Sequence, residues 1–268
     1  VDAESGKTFP VLNPATEEQI GAAALGAAPD VDKAARAAAE AFPAWAALTM
    51  SQRAKFLYPL GAAIREAADE LVDLEVREHG TPLTLARGFV DSAADTAEFT
   101  VSLGRALMGQ VLNAFSDATV YLKRVPIGVC AVITPWNVPL LMMGGMVVPA
   151  LIAGNTVVLK PASVNSLLGV KFTEVMEKLG LPPGVMNFVT GPGGSVGEAM
   201  AGHPLVDMIR FTGASDTGRE IMRVASATAK KSVMELGGNN PVIVCADADV
   251  TKAATWQSQK HFGNCSQN

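Results

Sequence analysis

The chain has 268 residues, of which 49% are hydrophobic, and a formal net charge of −5 at pH 7. This length and composition suffice for one large or two ordinary domains with a substantial core, and the negative charge argues against a dedicated nucleic-acid binder. The longest mostly apolar stretch, 125–159, is interrupted by proline, glycine and asparagine, whereas a membrane helix needs ~20 predominantly apolar residues. We therefore expect a cytoplasmic protein without a membrane partner.

The cysteines and histidines predict neither a disulfide framework nor a metal site. Cys130, Cys245 and Cys265 lie far apart, and none forms a C-x-x-C pair. The three histidines, at positions 79, 203 and 261, are equally scattered. We expect them at the surface or in loops, and we expect no bound metal.

Residues 1–110 predict two short strands followed by helices that serve as scaffold. Residues 8–26 alternate loosely around an Asn-Pro turn signal and predict peripheral strands. Asp30 is expected to cap a helix that Pro43 bends or ends. Apolar residues at helical spacing predict three further helices: one from Ser51, one through Leu71 to Gly80, and one over 85–108.

The rhythm of the sequence changes after residue 110. Within 111–127, the β-branched and aromatic residues at 119–125 predict a strand. Over 128–236, apolar runs without polar alternation indicate parallel strands buried on both faces, separated by helices. The predicted strands are 129–134, 156–160, 185–189, 208–212 and 232–235. These repeated units predict an α/β fold with a doubly wound parallel sheet.

The carboxyl ends of these strands carry the residues of greatest chemical interest, namely Asn137, Lys160, Gly191, Gly213 and Glu235. Ligands of doubly wound sheets bind beyond the carboxyl ends of the strands, so we expect a site there. Residues 237–268 then predict the start of a second domain. It would contain a strand at 242–245 and a helix, capped within 247–249, that runs to about His261.

Two stretches at the strand ends have an unusual composition. In ITPWNVP, at 133–139, the Asn137 amide stands between two prolines; taken alone, such an asparagine is ordinarily a turn residue. In MELGGNNP, at 234–241, Glu235 is followed closely by two glycines that leave room for a flat ligand. Glu235 is either a functional carboxylate or a buried structural one paired with Lys230 or Lys231.

Three further features each allow two interpretations. Residues 190–197 lack the G-x-G-x-x-G spacing, so they form either a plain turn or a phosphate contact. Residues 211–218 open a helix whose free N–H groups suit an anion, or they form an ordinary capped helix start. Lys160 is either a solvated lysine or one that binds a ligand.

Together these stretches resemble the aldehyde dehydrogenase superfamily. Four motifs occur in the family's order: ITPWNVP at 133–139, KPAS at 160–163, FTG at 211–213 and MELGG at 234–238. The resemblance runs from about Phe9 to the last residue. It implies a Rossmann-like cofactor domain over 128–236, an incomplete catalytic domain over 237–268, and a bridging hairpin over 111–127 that contacts a neighbouring subunit of a homodimer or homotetramer.

The implied activity is oxidation of an aldehyde to a carboxylic acid with NAD(P)⁺, through a cysteine thiohemiacetal and a thioester. By resemblance, Asn137 donates to the aldehyde oxygen, and Glu235, expected to be partly buried, activates water as general base. The implied cofactor-binding residues are Ile133, Thr134, Pro135, Trp136, Lys160, Ala162, Ser163, Gly193, Gly197, Phe211, Thr212, Gly213, Ala214, Thr217, Leu236 and Gly237. Ser163 stands where many NAD-specific members carry glutamate, so NADP is expected to be accepted beside NAD, with a preference for NADP left open. Ala214 stands where the family often has serine.

The family's nucleophile is the cysteine of F-x-N-x-G-Q-x-C, and that position follows Asn268. Phe262, Asn264 and Gln267 match the motif, whereas Cys265 falls on an interior position and is expected to be a bystander. We therefore expect this segment alone to bind cofactor without catalysis. The alternatives are an inactive nucleotide-binding or interaction module and a reductase of acyl phosphates, which Glu235 disfavours. Residues 140–143 are expected to line a substrate tunnel and favour an uncharged or hydrophobic aldehyde.

Overall fold

A computed structural model of the chain describes residues 2–113 and 115–267. Strands β1 (Thr8–Leu12) and β2 (Gln19–Ala24) form an antiparallel pair, as the sequence predicts. The helices that follow are α1 (Ala28–Ala47), α2 (Met50–Leu57), α3 (Leu60–Glu66), α4 (Ala68–His79) and α5 (Leu83–Gly104). A short antiparallel hairpin, β3 (Gln110–Leu112) with β4 (Val120–Leu122), comes next.

The first helix differs from its prediction at both ends. It begins before Asp30, whose carboxylate accepts the N–H of Ala27 at 2.8 Å from inside the first turn. Pro43 does not end the helix, which continues to Ala47. Trp45 explains why: it is buried, and its Nε1 donates to the Leu151 carbonyl at 3.1 Å. This tertiary contact holds the last turn in place despite the proline. The next helix begins at Met50, capped by Thr49 rather than starting at Ser51.

Five parallel strands form the central sheet, in the order β7-β6-β5-β8-β9. The strands are β5 (Val129–Ile133), β6 (Thr156–Lys160), β7 (Met186–Phe188), β8 (Met208–Gly213) and β9 (Lys231–Leu236). The helices are α6 (Pro139–Ile152), α7 (Ser166–Glu177), α8 (Glu198–Gly202), α9 (Ser215–Ser226) and α10 (Val250–Phe262). A 3₁₀ turn, Ser163–Asn165, precedes α7, and a π-helical turn, Gly193–Gly197, precedes α8.

Apolar residues cover both faces of this sheet. On one face Val132 and Leu159 pack in a cluster with α2 to α7, and on the other Ala131 and Val158 pack with α1, α8 and α9. The fully buried strands explain the unbroken apolar runs in the sequence. The predicted α/β fold with a doubly wound parallel sheet is confirmed, and its strand order reverses between β5 and β8. A reversal of this kind opens the crevice in which such folds bind ligands.

Three other predictions are wrong. Residues 242–245 are not a strand: no described strand lies beside them to pair with their backbone, and Ile243 is 87% exposed. His79 lies neither at the surface nor in a loop, because it is buried at the end of α4. Residues 140–143 were expected to line a substrate tunnel, but Leu140 and Met143 are fully buried in the core, and Leu141 and Met142 are partly buried against it. Within the described residues, every helix is too short or too polar to cross a membrane.

Candidate active site

The loop between β5 and α6 carries Asn137. Its side-chain Nδ2 donates to the backbone carbonyl of Gln267 at 2.7 Å, and its own carbonyl accepts from Asn264 Nδ2, also at 2.7 Å. These two hydrogen bonds of side-chain amides join residues that are 130 and 127 positions apart in the sequence. Residues 264–266 take left-handed backbone angles, with φ of 50°, 55° and 63°, a conformation that costs energy for side chains other than glycine.

The same loop is fixed at both ends. Thr134 donates its N–H to the Lys160 carbonyl at 3.1 Å, which extends the β5–β6 pairing by one residue. Pro139 occupies the first turn of α6, where its missing N–H costs nothing. Of the residues assigned to the cofactor here, Ile133, Thr134 and Pro135 are buried, and Trp136 is 49% exposed. Trp136 is therefore the exposed residue of this loop, and Asn137 and Val138 are partly buried.

Lys160 ends β6 as a buried residue, only 2% exposed, so its interpretation as a solvated lysine is wrong. Its Nζ donates to the Pro161 carbonyl at 2.9 Å, and burial lowers the pKa of the ammonium to about 8. Ser163, three residues later, donates from Oγ to the Gly191 carbonyl at 2.9 Å. That bond links the loop after β6, with Ala162, to the loop after β7.

Two glycines after β7 leave open space, whereas the glycine that ends β8 does not. A Cβ built at Gly193 would meet no neighbour, while one at Gly197 would only touch Ile133 at 3.9 Å. Gly213 is different, because the ring of Phe211 lies 2.6 Å from an added Cβ and leaves no room for a side chain. Beyond it, Ala214 is the exposed N-cap of α9, without a side-chain cap, and Thr217 is exposed in the first turn.

Glu235 lies near the end of β9, in register with Thr212 of β8. It is exposed, so the expected partial burial is wrong. Pairing with Lys230 is not seen, because that ammonium donates to the carbonyls of His203 and Val206. The charge of Glu235 instead acts on Arg210 of β8, where it opposes the lowering of the guanidinium pKa that burial causes.

The two residues that follow Glu235 are exposed as well. Leu236 is 39% exposed, and its side chain nevertheless packs against Gly218 of α9. Gly237 begins the irregular segment after β9.

These side chains share one edge of the sheet. Neighbouring strands lie about 4.8 Å apart, so β5 and β9, separated only by β8, are about 10 Å apart at their carboxyl ends. Asn137 follows β5 and Glu235 lies near the end of β9, so the two residues belong to the strands on either side of β8. Lys160 and Ser163 lie on the other side of β5, and the described residues contain no cluster of His, Cys, Asp and Glu that could hold a metal ion.

Two buried carboxylates, Glu75 and Glu78, escaped the sequence interpretation. They lie on the last turns of α4, directly behind the loops that carry Asn137 and Lys160. Their signal is present in the sequence, because both share the helical face of Leu71 and Val72. Glu75 and Glu78 follow Leu71 by four and seven residues, which places them on the same buried face of α4.

A model of the aldehyde dehydrogenase family matches residues 1–268. The chain belongs to this family. HpcC from Thermus thermophilus is 39% identical with a TM-score of 0.97, and the match covers 100% of this chain and 52% of HpcC. An NADP-dependent enzyme of E. coli is 38% identical with a TM-score of 0.96, covering 100% and 56% of the two chains.

A third similar structure, that of a mutant of aldehyde dehydrogenase C (AldC) from Pseudomonas syringae complexed with NAD⁺ and octanal, is 38% identical with a TM-score of 0.94. The match covers 99% of this chain and 54% of AldC. The chain therefore spans about half the length of these relatives. The family resemblance and the fold expected from it are confirmed.

Proposed function

We propose that this chain is the cofactor-binding half of an NAD(P)⁺-dependent, non-acylating aldehyde dehydrogenase and carries two of its catalytic groups. The observation that carries the proposal is the pair of hydrogen bonds that join Asn137 to Asn264 and Gln267. In the family motif the nucleophilic cysteine would stand two positions after Gln267. The Asn137 amide therefore contacts the backbone that leads to the implied nucleophile.

The residues after β6, β7 and β8 fit a dinucleotide. Lys160 has three donors and is seen with one partner, the Pro161 carbonyl, so it would bind the ribose hydroxyls. The open space above Gly193 would receive the adenosine end. The free N–H groups of α9, from Ala214 to Thr217, would hold the pyrophosphate. When bound, the nicotinamide accepts the hydride.

Ser163 supports a role for NADP⁺ beside NAD⁺. Its side chain is small and neutral, and it is held by the Gly191 carbonyl next to the loop of Lys160. A carboxylate at this position would repel a 2′-phosphate, whereas a hydroxyl leaves room for one. We propose that NADP⁺ is accepted, and the relative efficiency of the two cofactors is the measurement that decides preference.

The proposed chemistry assigns one role to each catalytic side chain. As a cysteine thiolate adds to the aldehyde carbon, Asn137 donates its side-chain N–H to the oxygen that takes up negative charge. After hydride loss, Glu235 takes a proton from water, whose oxygen attacks the thioester carbon and displaces the thiolate. The exposure of Glu235 leaves its carboxylate accessible to that water. The product is a carboxylic acid.

Leu141 and Met142, in the first turn after Asn137, are apolar and partly exposed, and they favour an uncharged or apolar aldehyde.

The exposed apolar hairpin favours a homodimer or homotetramer. Val111 and Tyr121 are 69% and 68% exposed, and surfaces of this kind mark interaction sites.

The test compares the 268-residue chain with the protein extended beyond Asn268 by the sequence that its gene encodes. Dinucleotide binding and aldehyde-dependent cofactor reduction are measured for both, with a panel of charged and apolar aldehydes. We expect both proteins to bind cofactor and only the extended one to oxidise aldehydes. Turnover by the 268-residue chain would contradict the proposed nucleophile, and failure to bind either dinucleotide would contradict the whole proposal. A stop codon after Asn268 would favour the alternative, an inactive nucleotide-binding module.

A further inference from the structure

The carboxyl-terminal end of α4 carries two buried carboxylates that the proposed chemistry does not use. Glu75 is 0% and Glu78 is 3% exposed, and burial raises the pKa of each carboxyl group to about 7. Burial of a carboxyl group is costly unless hydrogen bonds compensate it. Both groups do have such bonds, and their partners lie in the two loops of the candidate site.

Glu75 supports the helix that follows Asn137. Its Oε1 accepts the backbone N–H of Leu140 in the first turn of α6, at 3.3 Å. Its Oε2 accepts from the Thr81 hydroxyl at 3.4 Å, and His79 Nδ1 is hydrogen-bonded to the same hydroxyl. The His79 ring lies 6.2 Å from the ring of Trp136, the residue before Asn137. Glu75 and its neighbours therefore contact the Asn137 loop from behind.

Glu78 supports the other loop. Its two oxygens accept the backbone N–H groups of Leu167 and Leu168, at 2.7 and 2.8 Å. These N–H groups lie in the first turn of α7. That helix directly follows the segment that runs from Lys160, at the end of β6, through Ser163, the first residue of the 3₁₀ turn. The first N–H groups of a helix have no partner within the helix, so an acceptor that is itself rigid fixes where the helix begins.

The end of α4 also contacts the segment that leads to the implied nucleophile. The Gly80 carbonyl, one residue beyond α4, accepts from the Sγ of Cys265 at 3.5 Å. Cys265 lies between Asn264 and Gln267, the two residues bonded to Asn137. One helix end thus touches three separate segments of the candidate site.

We propose that Glu75 and Glu78 are positioning residues, Glu75 for the oxyanion donor Asn137 and Glu78 for the cofactor loop of Lys160 and Ser163. This inference rests on the proposed function, because it assigns each carboxylate to one part of that reaction. Functional groups act efficiently only when a surrounding shell holds them in place, and a misplacement of about 1 Å can cost about 100-fold in rate. Loss of Glu75 should therefore lower kcat, whereas loss of Glu78 should raise the dissociation constant for the cofactor.

The test uses four variants of the active, extended protein. Glu75→Met removes the acceptor of the Leu140 N–H, and we expect kcat to fall at least about tenfold while the dissociation constant for cofactor stays within about twofold. Glu78→Met removes the acceptors at α7, and we expect the reverse: a cofactor dissociation constant raised at least about tenfold, with kcat at saturating cofactor unchanged. Methionine has a similar length and buries no charge, whereas a backbone N–H left without its acceptor lowers stability. We therefore expect both variants to fold with reduced stability, and far-UV circular dichroism checks this.

Glutamine provides the matched controls. At position 75 its carbonyl oxygen can still accept the Leu140 N–H while its NH₂ donates to the Thr81 hydroxyl, so Glu75→Gln is expected to retain kcat. At position 78 both oxygens accept N–H groups, and an NH₂ would face a donor. Glu78→Gln is therefore expected to behave like Glu78→Met.

Amide hydrogen exchange gives a readout that needs no activity. In the 268-residue chain, exchange should rise at Leu140 in Glu75→Met and at Leu167 and Leu168 in Glu78→Met. The inference would be overturned if exchange did not change at these residues. It would also be overturned if kcat and the cofactor dissociation constant changed equally in both Met variants, or if Glu75→Gln lost kcat. If the unsubstituted extended protein does not oxidise aldehydes, the proposed function is wrong, and the catalytic part of the inference is wrong with it. If that protein is active and both Met variants keep its kcat and its cofactor dissociation constant, only the inference is wrong.

Discussion

Asn137 is the residue whose role can be tested most directly. Asn137→Ala removes the side-chain N–H that would stabilise the developing oxyanion, and such a donor typically contributes ~2.7–4 kcal/mol. We expect kcat of the extended protein to fall about 10²–10³-fold with little change in cofactor binding. Gln19→Ala, which truncates an exposed amide on β2, is the control. A kcat within about twofold of wild type would exclude the oxyanion role.

Ser163 decides the choice of cofactor in this proposal. Ser163→Glu places a carboxylate next to the loop of Lys160, where it would repel the 2′-phosphate of NADP⁺ and could accept from ribose hydroxyls of NAD⁺. We expect kcat/KM for NADP⁺ to fall at least about tenfold, which corresponds to ~1.4 kcal/mol, while kcat/KM for NAD⁺ is kept or raised. The control is Ser92→Glu, at an exposed position of α5. A parallel loss with both cofactors would point to a damaged fold instead of altered selectivity.

At the residue scale, the sequence predicted positions better than environments. Asn137, Lys160 and Glu235 were predicted at strand ends, because apolar runs define where buried strands stop. Whether a side chain at such an end is covered depends on elements far away in the sequence. Lys160 is buried and Glu235 is exposed, and neither neighbourhood can be inferred from adjacent residues.

At the scale of the element, α4 makes the stability of the protein depend on pH. Burial raises the pKa of Glu75 and Glu78 from 4.5 to about 7, so folding favours their protonated forms. Their contribution to the free energy of unfolding is fully present below about pH 4.5 and is lost as pH rises through about 7. Each shift corresponds to on the order of 3 kcal/mol.

This dependence can be measured by urea denaturation at about pH 5 and about pH 8. The loss of stability between these two values should be smaller in Glu75→Met and in Glu78→Met than in the wild type. The His79 imidazole, whose pKa is lowered by burial, acts in the opposite direction, and so the comparison is made between each variant and the wild type. An identical loss in all three proteins would show that neither carboxyl group titrates in this range.

The elements themselves were predicted well where the signal is local and poorly where it is not. Strand β6 matches its prediction, 156–160, to the residue, because a continuous apolar run between turn residues suffices to define it. Pro43 was expected to bend or end the first helix, but the helix continues to Ala47, where the contact of Trp45 with Leu151 holds its last turn. The apolar run at 242–245 forms no strand, since a strand needs a partner that a pattern cannot supply.

At the scale of the whole molecule, the site is assembled by the strand order. The sequence predicts five parallel strands but not that β5 lies between β6 and β8, and this order brings the loops of Asn137 and Lys160 together. Bonds over 127 and 130 positions then tie Asn137 to the end of the chain. Propensity and periodicity act over a few residues, so they do not predict long-range contacts of this kind.

The hairpin of β3 and β4 tests the proposed oligomer. Val111 and Tyr121 pair across the hairpin and are 69% and 68% exposed. The double substitution Val111→Asp and Tyr121→Lys places opposite charges across from each other, so it would cost the folded chain little. At an interface, the same change would bury two charged groups in place of apolar ones, which is strongly unfavourable. We expect sedimentation of the extended protein to show dissociation to a smaller species with unchanged circular dichroism. Leu12→Asp, at another exposed apolar position, is expected to leave the assembly intact. If the double variant sediments like the wild type, the hairpin does not hold subunits together, and its apolar surface must be covered within a single subunit.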